Sequence, residues 1–326
     1  MGKTTVQVLR VPLAVLFLLA VAPLVPGLTS SYSMHILILA LLWSIIGMAW
    51  NLLGGYCGQV SFGHAAFFGI GAYTAGILYY QFGVSSWWGL PLAVVIVPVG
   101  ALVVGYICLR LRGPYFALGT LAMGEVLRVT AENLEEFTGG ARGILLERRT
   151  WVGKEPYYYI ILALTVVTFI VVEVVVKSKL GYYFVAIRED QDAAESLGIP
   201  TTLYKNVALV LSALFTGLAG AFYTSYMGYI EPHIVFALHD ISIITIMVVM
   251  VGGVATRWGP FVGAAIMVVL SEFIRTLPRI GAAHQTLFGV LLIVIIIFLP
   301  NGVVGDFRKL TRLFAGGRKP LPEGGN

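Results

Sequence analysis

Long apolar runs broken by short polar stretches set the pattern of this chain. Val11–Leu28, Met34–Leu53, Trp88–Leu109, Tyr157–Val176, Asn206–Tyr226, Ile241–Ala255, Pro260–Phe273 and Ala283–Leu299 each predict a helix. A bilayer crossing takes roughly 20 mostly apolar residues. The pieces near the C-terminus are shorter than that, so tilted or broken helices are expected there. Two weaker segments lie between: Gln59–Tyr80, rich in glycine, and Pro114–Thr130, apolar but carrying Glu125 and Arg128. Counting both gives about ten crossings, and omitting both gives about eight. A β-barrel would alternate apolar and polar residues with turns every ~10 residues. A run such as Ile241–Ala255 does not alternate, so the prediction is all-α: one polytopic transmembrane domain over residues 1–326.

Composition narrows the picture. Of 326 residues, 58% are apolar and only 11% charged, against roughly 25% charged in soluble domains. Mean hydropathy is +0.90. These values exclude a soluble enzyme, a disordered chain and a secreted disulfide scaffold. The two cysteines, Cys57 and Cys108, fall in or beside apolar stretches and read as buried small hydrophobes. Lys3 and Arg10 before an apolar run suggest a signal peptide, but Pro23 directly follows the small-residue site Ala20-Val21-Ala22. A retained first span is therefore expected.

The net charge of +5 fits Lys and Arg concentrated in cytoplasmic loops, with no basic face suited to nucleic acid. With the N-terminus inside, ten crossings put Arg110, Arg112, the loop 177–205, Arg257 and the basic tail 301–326 in the cytoplasm. The segment 131–155, with five acidic and four basic residues, then falls outside.

No catalytic constellation stands out, and no enzyme is expected. Gly2-Lys3-Thr4-Thr5 imitates the end of a phosphate-binding loop, but the upstream glycine and strand that cradle phosphate are missing. Glu231, His233, His239 and Asp240 share one external loop, where a metal site is conceivable. The preferred reading makes Asp240 the N-cap of a helix starting at Ile241.

Three segments carry candidate chemistry. Gly54–Tyr73 contains six glycines, at 54, 55, 58, 63, 69 and 71. With them Gln59, Ser61 and His64 lie at membrane depth. They read either as a lining of a translocation path or as interhelical hydrogen-bonding groups. Gly58–Leu78 and Gly252–Leu270 are both glycine-interrupted, a faint echo of a repeat. Glu125 and Arg128, three residues apart, share one helix face and can pair. They face an interior or reach the outer interface.

The loop 177–205 holds four acidic and four basic residues. Within it Ala193, Ala194, Leu197 and Gly198 form a small apolar stripe at helical spacing, and Gly198 and Pro200 stop the helix. A helix lying on lipid would favour Lys, Arg and bulky anchors. Acids and alanines favour docking to a protein partner.

The string Asp192-Ala193-Ala194-x-x-x-Gly198 resembles the coupling loop of ABC importer permeases, with Asp in the usual Glu position. The wider pattern resembles the permeases of high-affinity branched-chain amino acid uptake systems. It comprises Ala186-Ile187-Arg188-Glu189-Asp190, Leu197-Gly198-Ile199, Gly58-Gln59-x-Ser61-Phe62-Gly63-His64, Arg112-Gly113-Pro114-Tyr115, Thr138-Gly139-Gly140 and Gly252-Gly253 with Gly259-Pro260. The likeness runs in order over about 35–300 and is closer to the M-type of the two permease subunits. It implies a permease of about ten helices in the cell (inner) membrane, with both termini cytoplasmic. It implies four partners: a second permease subunit, two ATP-binding subunits that hold the ATP, and an extracytoplasmic substrate-binding protein. It assigns Arg188, Glu189, Asp190, Asp192, Ala193, Ala194 and Gly198, as one helix from Arg188 to Gly198, to ATPase coupling. Neither a cofactor nor a metal is expected in this chain. Other cargoes carried by the same family, such as urea, amides or aromatic acids, stay open, as does a lone ion-coupled transporter.

Overall fold

The computed structural model describes residues 30–146, 151, 153–275, 286, 289–290, 293, 297–299 and 301–306. The expected first span Val11–Leu28, most of Ala283–Leu299 and most of the basic tail lie outside the described residues. The apolar runs form helices. These are α1 Ser31–Trp50, α2 His64–Phe82, α3 Gly89–Cys108, α4 Pro114–Asn133, α5 Glu155–Lys177, α6 Lys179–Glu189, α7 Gln191–Ser196, α8 Thr201–Met227, α9 Ile244–Gly252 and α10 Gly259–Arg275. Wider π-helical turns extend α1 over Asn51–Tyr56 and precede α9 over Leu238–Ile243. Among the described residues, five helical stretches are long and apolar enough to cross a bilayer: Ser31–Tyr56, Ser86–Cys108, Glu155–Lys177, Thr201–Met227 and Pro232–Gly252. The chain is a helical membrane protein.

Side-chain contacts sort the connections into two ends. One end gathers the loop after α1, the α3–α4 turn, α6 and α7, and the α9–α10 loop. There Arg188 reaches Gly55, Arg112 reaches Asp192, and Arg257 pairs with Glu173. This end carries Arg110, Arg112, Lys177, Lys179, Arg188, Lys205 and Arg257. The other end gathers the start of α1, the α2–α3 and α4–α5 connections and 228–237. There Lys154 donates to the Ser31 carbonyl, Gln81 to the Glu136 carbonyl and Tyr32 to Glu272. A two-residue antiparallel ladder, β1 Ile144–Leu145 on β2 Tyr229–Ile230, closes this end. It is rich in acids: Glu132, Glu135, Glu136, Glu155, Glu231 and Glu272. The segments 131–146 and 177–205 thus sit at opposite ends, as the charge pattern predicted.

α8 is the central helix, packed along α2 and α3, while α1 bridges α5, α9 and α10. Backbone approach explains one glycine of α2, Gly71. A Cβ at Gly71 would collide with the Gly217 carbonyl of α8. Small residues at a crossing let two helices close to van der Waals contact where water supplies no driving force.

Two expectations change. Asp240 does not cap a helix beginning at Ile241. The helical turn starts at Leu238, so Asp240 lies within its first turn, where a carboxylate still faces the positive end of the helix dipole. And residues 57–63 are not helical; α2 begins only at His64. Both cysteines are buried thiols.

Candidate functional site

The loop 177–205 folds as two helices. Ser178 caps α6 by accepting from the Leu180 amide. Asp190 then adopts extended backbone, φ −157° and ψ 111°, and its carboxylate accepts from the Ala193 amide at 3.0 Å to cap α7. An Asp side chain that satisfies an orphan amide favours a new helix start over continuation. This breaks the single helix expected from Arg188 to Gly198. The apolar stripe also splits. Ala194 is 2% exposed and packs inward, whereas Leu197 is 82% exposed. Asp192, Ala193, Ser196 and Leu197 face outward together, with Gly198, at φ +82°, ending the helix.

Both helices are tied to the transmembrane bundle. Arg188 Nη1 donates to the Gly55 carbonyl at 3.2 Å and its guanidinium pairs with Glu189. Gln191 donates to Glu195 at 3.0 Å, Thr201 donates to the same carboxylate oxygen at 2.5 Å, and Lys205 Nζ donates to Gln191 Oε1 at 3.1 Å. Those two hydrogen bonds hold the Glu195 carboxyl below the usual carboxylate range, chiefly through Thr201. Lys205 and Thr201, on the first turn of α8, are 1% and 2% exposed. Arg112 pairs with Asp192 at 2.8 Å and approaches Glu195 at 3.7 Å. These exposed pairs are weak, being screened by solvent. Of the anchor residues, Arg112 opens the Arg112-Gly113-Pro114-Tyr115 string, while Gln191 and Thr201 carry no motif. Their only sequence signal is i,i+4 spacing, Gln191 with Glu195 and Thr201 with Lys205.

The loop between α1 and α2 is held from several sides. Asn51, buried, donates to the Thr256 carbonyl at 3.0 Å and accepts from the Ala255 amide at 2.8 Å. Trp50 donates to the Ser61 carbonyl. Thr120 of α4 accepts from the Phe62 amide, and Ser242 caps α2 by accepting from the Ala65 amide. His64 Nε2 lies 2.7 Å from Ser212 Oγ of α8, and Ser61 and His64 are fully buried. His64 therefore bonds from one helix to another, whereas the Ser61 hydroxyl accepts from the Gly63 amide within the loop. Gln59 is half-buried on the same loop near α6. Among the described residues, the two main cavities are lined by none of the three. The larger, about 400 Å³, opens at the acidic end beside His35, Lys154 and Tyr226.

Glu125 and Arg128 do pair. Arg128 Nε and Nη2 fork onto the Glu125 carboxylate, at 2.6 Å for Nη2, and Nη1 donates to Glu132 at 2.9 Å with His233 at 3.3 Å. The Glu125 side chain is 56% exposed. A charged residue at the centre of a lipid-facing helix costs about 2.5–3.5 kcal/mol on insertion scales. Among the described residues, no group of three or more His, Cys, Asp or Glu is placed to hold a metal ion.

A helical bundle running between a basic and an acidic end, with a capped helix pair anchored at the basic end, defines a polytopic membrane protein built to meet a partner. A family model described as "Branched-chain amino acid transport system / permease component" matches residues 32–298; the chain belongs to this family and is a transport permease. It is similar to the high-affinity branched-chain amino acid transport system permease protein LivM of Salmonella typhimurium, 29% identical over 93% of this chain and 77% of the relative. It is equally similar to that of Escherichia coli, 29% identical over 98% of this chain and 80% of the relative. A probable branched-chain amino acid transport permease protein LivM of Methanocaldococcus jannaschii is 22% identical over 86% of this chain and 96% of the relative. No solved structure gives a significant match.

Proposed function

We propose that this protein is the M-type membrane-spanning permease of an ATP-driven importer of branched-chain amino acids. It forms the substrate path with a second permease, and two ATP-binding partner subunits supply the energy. An extracytoplasmic binding protein delivers cargo. The observation that carries this reading is the α6–α7 pair, whose outward face of Asp192, Ala193, Ser196 and Leu197 projects from the bundle while the buried Lys205 and the exposed Arg188 tie it to the bundle. In this reading Asp190 and Ala194 position the pair. Asp192, Ala193 and Gly198 meet the ATPase, and Arg188 and Glu189 pass its motion to the loop after α1. The basic end lies in the cytoplasm, following the excess of Lys and Arg there. Ser61 and His64 brace the base of the path by hydrogen bonding, and Gln59 stands nearest its cytoplasmic mouth.

The test is affinity purification of tagged protein from native membranes, followed by leucine uptake in proteoliposomes. Recovery of a second permease and two ATP-binding subunits, with uptake that needs ATP, is the expected result. Recovery of this chain alone, with uptake driven by an ion gradient, would overturn the reading. Uptake of urea or an aromatic acid instead of leucine would change the cargo and keep the mechanism.

A further inference from the structure

We propose that Glu125 and Arg128 form a zwitterion-recognising site in the wall of the translocation path, Glu125 taking the ammonium and Arg128 the carboxylate of an α-amino acid. The inference rests on the reading of this chain as an amino acid permease.

Depth is the first observation. α4 spans Pro114–Asn133 and rises ~1.5 Å per residue. Glu125 therefore stands about 16 Å from its first residue and about 12 Å from its last. Exposure is the second. Tyr115, Leu118, Ala122, Glu125, Val126 and Val129 form one exposed stripe along α4. On α3 the exposed residues are apolar, as with Val95, Val99, Leu102, Val103 and Ile107, the surface a lipid chain accepts. The α4 stripe differs by a carboxylate at mid-depth. Ionisable side chains on membrane helices face a bundle interior or a water-filled cavity, and Arg128 also reaches Glu132 and His233 of the acidic end, which sets this stripe toward the acidic mouth of the path. Space is the third observation. A Cβ at Gly124, next to Glu125, would meet no atom within 4 Å.

The chemistry of the pair names the ligand. Both Glu125 oxygens accept from Arg128 Nε, at 3.1 and 3.0 Å. An α-amino acid carries the same two charges in the complementary order. Inserted between them, its carboxylate accepts from the guanidinium fork and its ammonium donates to Glu125. Charge-assisted hydrogen bonds on both partners are thereby conserved. Glu132 stays on Nη1 and keeps Arg128 in place. On the same stripe Val126 beside Glu125, Ala122 and Val129 about one turn to either side, and Leu118 two turns away offer apolar contact to a branched side chain.

The test uses the complete transporter with its co-purifying subunits and binding protein in proteoliposomes. Glu125→Gln and Arg128→Gln are each expected to cut leucine uptake at least tenfold while the complex still assembles. The double swap Glu125→Arg with Arg128→Glu restores an ion pair but reverses its polarity, so uptake is expected to stay at the level of the single variants. Recovery by the swap would mean a purely structural pair and overturn the proposal. Ala122→Phe, which leaves both charges, is expected to reduce isoleucine uptake more than alanine uptake; equal loss would also count against the site. Wild-type transporter that imports no amino acid would overturn the permease reading together with this site. Active wild type with fully active Glu125→Gln and Arg128→Gln would overturn the site alone.

Discussion

Lys205 Nζ donates to Gln191 Oε1 at 3.1 Å, joining the buried first turn of α8 to the exposed helix α7. The bond links an element a partner can reach to the helix at the centre of the bundle. α8 packs along α2 and α3, so under the proposed function a displacement of α7 is passed to the middle of the membrane domain. Arg188 makes a second link, to the Gly55 carbonyl at the end of α1. Two hydrogen-bonded connections therefore run from the α6–α7 pair to two transmembrane elements.

Lys205→Met keeps length and packing while removing the donor. The transporter is expected to assemble and hydrolyse ATP, with several-fold fewer amino acids moved per ATP; unchanged stoichiometry would show that α7 does not drive α8 through this bond. Gln191→Leu should be worse for stability, because it leaves a buried ammonium without its acceptor. Orphaning a buried polar group costs about 1–3 kcal/mol, so Gln191→Leu should lower the melting temperature of the purified complex more than Lys205→Met does.

Acid should loosen α7 in a defined direction. The Thr201 hydroxyl and then Gln191 hold the Glu195 carboxyl below its ordinary value. A carboxyl depressed in the folded state adds stability above its unfolded pKa, and that stability is lost as pH falls through the folded value. Hydrogen exchange of the α7 amides is therefore expected to accelerate on acidification below about pH 4, near the reference value for Glu. Thr201→Val should show a smaller pH dependence. Identical pH profiles for the two proteins would remove Thr201 as the cause.

Much of this arrangement was legible in the sequence, because membrane helices must satisfy their own backbone and so announce themselves as apolar runs. Tyr157–Val176 falls within α5, and Trp88–Leu109 overruns α3 by one residue at each end. The Glu125–Arg128 pair was legible from its spacing alone, and Gly71 of α2 from the need for close helix crossing. The break at Asp190 was not, because a continuous helix and a recapped one share the same composition. The choice between them rests on one side chain reaching the Ala193 amide. Nor was the clamp made by Asn51, whose partners are about two hundred residues away in sequence. A single polar residue in an apolar run signals a partner without saying which.

Gly58 and Gly198 both have positive φ, at 72° and 82°, yet their surroundings differ. A Cβ at Gly198 would meet nothing within 4 Å, while one at Gly58 would lie 2.7 Å from Arg188 Cγ and 3.1 Å from its Cα. Gly198→Ala should therefore cost only the left-handed strain, about 1–2 kcal/mol. Gly58→Ala adds a collision that pushes α6 from the end of α1. Its melting temperature should fall further, and its transport should fall with it. Equal melting temperatures for the two variants would mean that Arg188 gives way without consequence.

Asn51 offers the sharpest test of how the bundle is closed at its basic end. Its amide spans the α9–α10 loop, donating to Thr256 and accepting from Ala255, and Ala255 is the one non-glycine residue with positive φ among the described residues, at 54°. The clamp thus holds a strained backbone. Asn51→Leu orphans a partly buried amide and a partly buried carbonyl and is expected to destabilise by up to about 1–3 kcal/mol for each. Asn51→Asp keeps an acceptor for the Ala255 amide but presents a carboxylate to the Thr256 carbonyl, so it should recover little. Ala255→Gly removes the left-handed strain of about 1–2 kcal/mol and should raise the melting temperature of the wild-type background. In the Asn51→Leu background it should restore part of the loss, because a loop that no longer resists its conformation needs less holding. A double variant no more stable than Asn51→Leu alone would separate the strain at Ala255 from the clamp that spans it.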